Sequence, residues 1–339
     1  MWFEALAHPP SRTIDLFEDG DGGINGAVFL AVDDDHAIII GDTADGQNSE
    51  GWGMTFPLDG TSADIHYLED IRLFGNAALL HGGKAVATFT QSAGVSVRTV
   101  AGALIDALPD EVEGQCLAGF GDVLLAGGGG DGALWIWALD TRQLLATVQT
   151  SPWKQQIVGI AWHPSGDWLV TTSQGDGVRL WSVAKLQATP HGAMVTPVSA
   201  YATDDNRMYY EPAFSSDGAL VAVGCGNGDV LVFDFAPDQL RPRHRLSSGE
   251  DEVMTAAFHP TGRELVTGSR GRISVWDTIT GALVTTREPA DPDPRHEDED
   301  FPPTQIAGIR FARGGALLVV ARSSTVELWD LGSDSTPGR

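Results

Sequence analysis

Three groups of residues in this 339-residue chain have types and spacings that chemistry can use. The run Gly127–Gly130, followed by Asp131 and Gly132, has the glycine density of a loop whose backbone amides cradle phosphate. Such a loop needs a Lys-Ser or Lys-Thr pair behind it and a helix to open, and neither follows, so the run reads as a turn. Gly224–Gly228 reads the same way. His163 and His259 each stand in an aromatic-His-Pro-Ser/Thr-Gly unit, and recurrence of that unit marks a structural turn rather than a pair of metal ligands. The other histidines form no i, i+4 pair and no Cys/His cluster of ligand spacing. Asp33-Asp34-Asp35 offers carboxylates, but one tripeptide does not wrap the roughly 6–8 oxygens that calcium takes. No serine carries the glycine flanks of a nucleophile elbow. These residues predict no catalytic residue, no metal and no cofactor.

The elements that hold these turns repeat. Ile157–Ser182, Met208–Asp234, Val253–Asp277 and Ile306–Asp330 each read as an apolar run, a Gly-containing turn, a second apolar run, another turn, and an alternating strand ending near Trp or Phe. The aromatic endings are Trp181, Phe233, Trp276 and Trp329. Gln115–Asp140 is a fifth copy closed by Trp137, and 83–109 follows the same rhythm without the Trp, behind a strand near Ala77–Leu80. Ile24–Leu30, Ala37–Ile40, Trp52–Phe56 and Ala63–Tyr67 make a divergent first copy. Three short strands per period of about 40–50 residues, with a Trp-Asp ending, are the signature of a β-propeller blade.

On these residues the chain resembles the WD40-repeat family. The resemblance implies an all-β, seven-bladed β-propeller in which each repeat supplies strands a, b and c of one blade and then outer strand d. Blades are expected over about 19–68, 69–109, 110–150, 151–201, 202–247, 248–288 and 301–332, with 1–332 one domain and 333–339 a flexible tail. In that family the extreme N-terminal strand completes the last blade. Arg12–Phe17 alternates polar and apolar residues and suits that task, whereas the residues after Asp330 do not make a strand. The family's blade network joins a Gly-His pair, a strand-b Ser/Thr, a b–c-turn Asp and the strand-c Trp. Here Ser173, Asp176 and Trp181 match in one repeat, Thr90, Asp131 and Asn227 match partially elsewhere, and no Gly-His pair is present. Blade stability is therefore expected to rest on apolar packing. An enzymatic alternative follows from the architecture. Propeller hydrolases of the lactonase type hold a cation at the channel mouth with Glu, Asn or His at the starts of strands a, where Asn25, Glu113, Glu211 and Glu252 fall.

Composition narrows the setting. Forty-one glycines suit a fold with several tight turns per repeat. The N-terminus lacks a basic start and a long apolar core, and no apolar run reaches the ~20 residues that span a bilayer. Cys116 and Cys225 fall in strands and read as buried thiols, which fits a cytoplasmic protein. The net charge of −25 disfavours nucleic acid and anionic membrane and favours a basic or neutral partner. Arg outnumbers Lys by 18 to 3, the bias of a GC-rich, bacterial genome, and moderate salt adaptation gives a similar bias.

Function is expected in the loops, because a propeller is a scaffold whose task lies at its surface. Three long connections, 42–51, 201–207 with its preceding segment, and 287–304, belong to the rim formed by b–c and d–a connections. The third carries Glu297, Asp298, Glu299, Asp300 and Phe301 among five prolines. Asp204, Asp205, Glu250, Asp251 and Glu252 extend an acidic lip, and Trp153, Tyr209 and Tyr210 supply aromatic anchors. The expectation is a non-catalytic scaffold or adaptor that binds a protein through this rim. Arg241, Arg243 and Arg245 form a small basic stripe that acidic neighbours neutralise.

Overall fold

A computed structural model of the chain describes residues 1–16, 24–43, 50–59, 66–72, 77–90, 94–108, 112–202, 207–247, 249, 251–288, 305–322 and 325–332. Seven antiparallel sheets are present, each ordered a-b-c-d from the inside outward, apart from one added strand described below. Blade 1 runs through Ile24–Val32, His36–Thr43, Glu50–Pro57 and His66–Arg72, and blade 2 through Ala77–Leu80, Ala85–Phe89, Val95–Thr99 and Leu104–Leu108. Blade 3 comprises Gly114–Phe120, Leu124–Gly129, Ala133–Ala138 and Gln143–Gln149. Blade 4 has Ile157–Trp162, Trp168–Ser173, Gly177–Ser182 and Ser199–Tyr201, and blade 5 has Tyr209–Phe214, Leu220–Cys225, Asp229–Ala236 and Gln239–Ser247. Blade 6 is Thr255–Phe258, Glu264–Gly268, Ile273–Asp277 and Leu283–Arg287. Blade 7 is Ile306–Ala312, Leu317–Arg322, Thr325–Asp330 and, as its outer strand, Arg12–Asp15 from the other end of the chain.

That last pairing closes the ring. Arg12 pairs with Leu328 and Asp15 with Thr325, and the Ser11 hydroxyl donates to the Leu328 carbonyl at 2.7 Å. The closure extends further upstream than the alternation alone indicated. Residues Trp2–Ala7 form a short 3-10 helix whose Trp2 and Leu6 are buried with the blade 6–7 core. Trp2 stacks on His259 at 5.2 Å between ring centroids and meets Phe311 edge-on at 5.5 Å. Arg287 donates to the carbonyls of Leu6 and His8, which ties the helix to blade 6.

Packing between neighbouring blades supplies the core. Each of the seven blade-to-blade contacts has its own cluster of buried apolar residues. Strands buried on both faces read as continuous apolar runs, which is why Leu317–Arg322 (LLVVAR) and Leu220–Cys225 (LVAVGC) show no alternation. The largest fully buried side chains include Trp137, Trp181, Trp329 and Phe233, and Trp276 is buried beside them. Cys116 and Cys225 are buried free thiols, and burial pushes the Cys225 pKa up to about 11.

The a–b turns interlock around one rim. In each His-containing unit the ring nitrogen is satisfied locally: His163 Nδ1 lies 2.9 Å from the Ser165 hydroxyl, and His259 Nδ1 lies 2.8 Å from that of Thr261. Each ring then packs against a glycine of the next blade's turn. A Cβ on Gly218 would lie 2.2 Å from His163 Nε2, and one on Gly315 would lie 2.6 Å from His259 Nε2. Both glycines have positive φ, 74° and 97°, so a side chain there is excluded twice over. Asp33 makes a similar local turn, accepting from the backbone N–H groups of Asp35 and His36 at 2.6 Å.

Four sequence expectations need correction. First, Gly127–Gly129 lie in strand b of blade 3, and Gly224 and Cys225 in strand b of blade 5; the turns are only the residues that follow. Second, the strand-b hydroxyl that meets Trp181 is not Ser173. Trp181 Nε1 donates to Thr171 Oγ1 at 2.9 Å, and Trp276 Nε1 donates to Thr267 Oγ1 at 3.0 Å. The reason is register: Leu169 opposes Trp181 and Leu265 opposes Trp276, and the acceptor stands two residues beyond each. By the same register Gly127 occupies that place in blade 3, and Trp137 Nε1 is buried without a partner. In blade 7 the place is Val320, and Trp329 instead donates to the His8 carbonyl at 3.5 Å. Asp176 bonds Arg179 at 2.8 Å rather than a histidine.

Third, the outer strand of blade 1 runs past the expected end at Tyr67 to Arg72, which pairs with Glu50 at the start of strand c, and 63–65 lie outside the described residues. Fourth, the segment before Tyr201 is a c–d insertion of blade 4, at the opposite end of the sheet from the d–a connections. It contains helix Val183–Ala188, which buries Val183 and Leu186. It also contains strand Ala193–Met194, added in parallel to the outer edge of blade 3. The 333–339 segment lies outside the described residues.

Two outcomes follow. Thr171→Val should destabilise the fold by about 1–3 kcal/mol, the cost of an unsatisfied buried donor, whereas Ser173→Ala should stay near 0.5 kcal/mol in urea unfolding. Removing residues 1–16 takes out both the closing strand and the Trp2 anchor. Thermal melting followed by circular dichroism should then drop by roughly 5–10 °C or give way to aggregation.

Candidate functional site

Antiparallel order in every blade puts the b–c and d–a connections on one rim and the a–b and c–d connections on the other. On the b–c/d–a rim Trp153 is 78% exposed, and among the described tryptophans only this one is exposed. Its loop is held from below. Trp153 N donates to Ser151 Oγ at 3.3 Å, and Thr150 donates to the Gly132 carbonyl through both its backbone N–H and its hydroxyl. The loop also packs directly on the b–c turn of blade 3, where a Cβ on Gly132 would lie 2.9 Å from the Gln155 carbonyl. An indole on a braced loop loses little freedom when a partner covers it.

In the next two blades Tyr210, at the start of strand a of blade 5, donates to Glu252 Oε2 at 2.7 Å. Burial and the bond to the Glu252 carboxylate push the Tyr210 pKa up, so the hydroxyl remains a donor. Asp251 and Glu252 are exposed in the following d–a loop. Tyr209 is placed differently from expectation. It is 1% exposed, inside the blade 4–5 core, because adjacent strand residues point to opposite faces and Tyr210 takes the outer one. Asp204, Asp205, Glu250, Glu297, Asp298, Glu299, Asp300 and Phe301 lie outside the described residues.

Sequence reasoning missed a second polar cluster on this rim. Asp229, buried after the b–c turn of blade 5, accepts from Arg207 at 2.9 Å, Asn227 at 2.7 Å and Arg245 at 2.6 Å. Burial of the carboxylate works against ionisation, yet the bonds from Arg245 and Asn227 hold its pKa below the usual aspartate value. Arg245 thus shares Asp229 with Arg207, and Arg243 pairs with Asp234 at 2.7 Å, so two members of the basic stripe are engaged in ion pairs. The signal was present as the Asn-Gly-Asp turn, but its two arginines arrive from elsewhere, Arg207 from the d–a connection and Arg245 from strand d.

Inside the channel, Arg310 of blade 7 reaches across blade 6 to Glu211 of blade 5 at 2.5 Å. Its other arm donates to the Thr255 hydroxyl at 3.3 Å and the Ile309 carbonyl at 2.9 Å. Glu211 is therefore committed to Arg310, and Glu252 to Tyr210. Glu113 is exposed with contacts of its own, and the side chain of Asn25 is outside the description. Among the described residues no group of three or more His, Cys, Asp or Glu is placed to hold a metal ion. Glu113, Glu211 and Glu252, the described candidates for the channel mouth, are not brought together as a cation site.

Seven radial four-stranded units around a channel, closed by the N-terminal strand, define a seven-bladed β-propeller. Comparison with known proteins places the chain more closely. The model of the WD domain, G-beta repeat, matches residues 143–182 and 240–277, each running from an outer strand d through strands a, b and c of the next blade. The chain is thus a seven-bladed β-propeller that carries recognisable WD40 repeats. Curated relatives include the U3 small nucleolar RNA-associated protein 4 homolog of Homo sapiens, 25% identical over 118 residues. That match covers 35% of this chain and 17% of the relative. Coronin-7 of Mus musculus is 28% identical over 171 residues, which is 49% of this chain and 16% of that protein. The matched part is thus a minor fraction of either relative. Among solved structures, the Cps50 (Swd1) propeller of Myceliophteria thermophila superposes with a TM-score of 0.69 at 11% identity, covering 95% of this chain and 98% of that one. A chain of the Mitotic Checkpoint Complex gives 0.71 at 14%, covering 96% of each. At these identities the structural likeness speaks for the fold. The two curated relatives are mammalian, and the bacterial source read from the Arg-to-Lys ratio has no support among them.

The Asp229 cluster yields a pH expectation. Its pKa is lower in the fold than the ordinary value near 3.8, so its stabilisation is complete above about pH 4. It declines as pH falls towards the depressed pKa, because the unfolded chain takes up the proton first. Asp229→Asn takes the buried carboxylate away from Arg207, whose side chain is 8% exposed. The variant should lose about 3 kcal/mol at neutral pH. It should also show a shallower loss of stability below about pH 4 than wild type in urea titrations.

Proposed function

We propose that this chain is a non-catalytic protein-interaction platform that engages a protein partner through its b–c/d–a rim. The observation that carries the reading is Trp153, a large apolar side chain exposed on a hydrogen-bonded loop while the other described tryptophans are buried or half-buried. Tyr210 and Glu252 stand on the next two blades of the same rim and extend the contact surface. The net charge of −25, with Asp251 and Glu252 on this rim, matches a partner whose contacting surface is basic. Asp204, Asp205, Glu250, the Glu297–Asp300 run and Phe301 belong to loops of the same rim by sequence and enlarge the acidic lip in this reading. The family supports it in outline: the solved neighbour from the Mitotic Checkpoint Complex is a propeller working inside a complex.

The test is affinity capture from the native host with wild-type chain and a Trp153→Ala variant of equal melting temperature, followed by titration of whatever partner is retained. Loss of a buried aromatic anchor should weaken binding by about 2 kcal/mol, near 30-fold. Raising salt should weaken it further if the partner is basic. Equal recovery by both chains would reject the rim as the contact surface.

A further inference from the structure

A cavity of about 360 Å³ lies in the central channel, among the inner strands of blades 4 to 7. It extends to the a–b turns, since Ser216 and Pro260 of those turns are part of its lining, so it is separate from the Trp153 loop. Its walls combine two kinds of surface. Ile160, Ala213, Phe214, Ala257, Phe258 and Phe311 are apolar, and Glu211 with Arg310 supply one carboxylate beside one guanidinium. Concave, largely apolar sites with a few convergent polar groups are where small ligands bind.

The ion pair dictates the charge of the occupant. A lone cation drawn to Glu211 is repelled by Arg310, and a lone anion drawn to Arg310 is repelled by Glu211. A ligand carrying both charged groups on one carbon lies alongside the bridge as an opposed dipole, ammonium to Glu211 and carboxylate to Arg310, without breaking it. The bridge is half-open to such an approach, with side chains 30% and 23% exposed. Arg310 is also held before any ligand arrives, by Thr255 and the Ile309 carbonyl, so little ordering cost falls on binding. We propose that this cavity binds a free α-amino acid with an apolar side chain, its zwitterionic head on Glu211 and Arg310 and its side chain against the apolar part of the lining. A peptide segment does not fit this description, because its two charged ends are not on one carbon.

The test is calorimetric titration of the full chain with L-phenylalanine and L-leucine, against phenethylamine and 3-phenylpropionate, which keep the ring and one charge each. The expected result is one-to-one binding of at least one amino acid below about 1 mM, with each single-charge analogue about tenfold weaker or worse. Arg310→Gln should abolish the preference for the zwitterion. Ala213→Leu, which fills the cavity and leaves the bridge in place, should remove binding from a chain whose melting curve shows it folded. Equal affinity for all the ring compounds, binding that survives Ala213→Leu, or no heat from either amino acid up to about 10 mM would each overturn the proposal. Because the cavity and Trp153 lie at opposite ends of the strands, failure here leaves partner capture by the rim unaffected, and the reverse also holds.

Discussion

A ring of radial sheets buries its core only when the last sheet meets the first, and here residues 1–16 make that meeting. Strand Arg12–Asp15 completes blade 7, Leu16 joins the cluster between blades 7 and 1, and the Trp2–Ala7 helix seals the contact between blades 6 and 7. Without this segment strand c of blade 7 would present its ladder groups to solvent, and the blades on either side would lose apolar cover. The other inter-blade cores presuppose a closed circle, because each blade is held by two neighbours. The channel presupposes it too: Arg310 and Glu211, 99 residues apart, meet only when blades 5 to 7 hold their angular places.

Within that ring two devices keep neighbouring blades in step. Apolar clusters supply most of the stabilisation and have little directionality. The a–b turns add directionality, since a histidine of one blade seats on a glycine of the next with no room for a side chain. Polar networks contribute unevenly. Thr171 and Thr267 satisfy their tryptophans, Gly127 leaves Trp137 unsatisfied, and Trp329 borrows the His8 carbonyl. The N-terminal segment thus substitutes in blade 7 for a hydroxyl that Val320 does not carry.

The charged groups divide between surface and interior in a way that bears on function. Several arginines are ion-paired in place, Arg310 with Glu211 and Arg322 with Glu327, while Arg207 and Arg245 share the single carboxylate of Asp229. Carboxylates outnumber them, so the excess charge of the chain is left to its loops and surface. An exposed indole among such loops and an ion-paired cavity at the other mouth are separate opportunities for recognition, one for a macromolecule and one for a small molecule.

Much of this was legible without coordinates, because strand alternation, glycine turns and the Trp-Asp endings are local and recur. The blade count, the closing strand, the exposed Trp153 and the turn role of His163 and His259 all came from such local signals. Other features depend on register, where a shift of one or two residues changes a side chain's face or partner. Hence Thr171 rather than Ser173 serves Trp181, and Tyr209 is core while Tyr210 reaches Glu252. Still others depend on ring closure, which alone joins Trp2 to His259 and Arg310 to Glu211. The sequence by itself determined the blades, since each is set by periodicity within some forty residues. Only the tertiary structure decided the cavity and the polar clusters, because their members meet through pairing and closure across the whole circle.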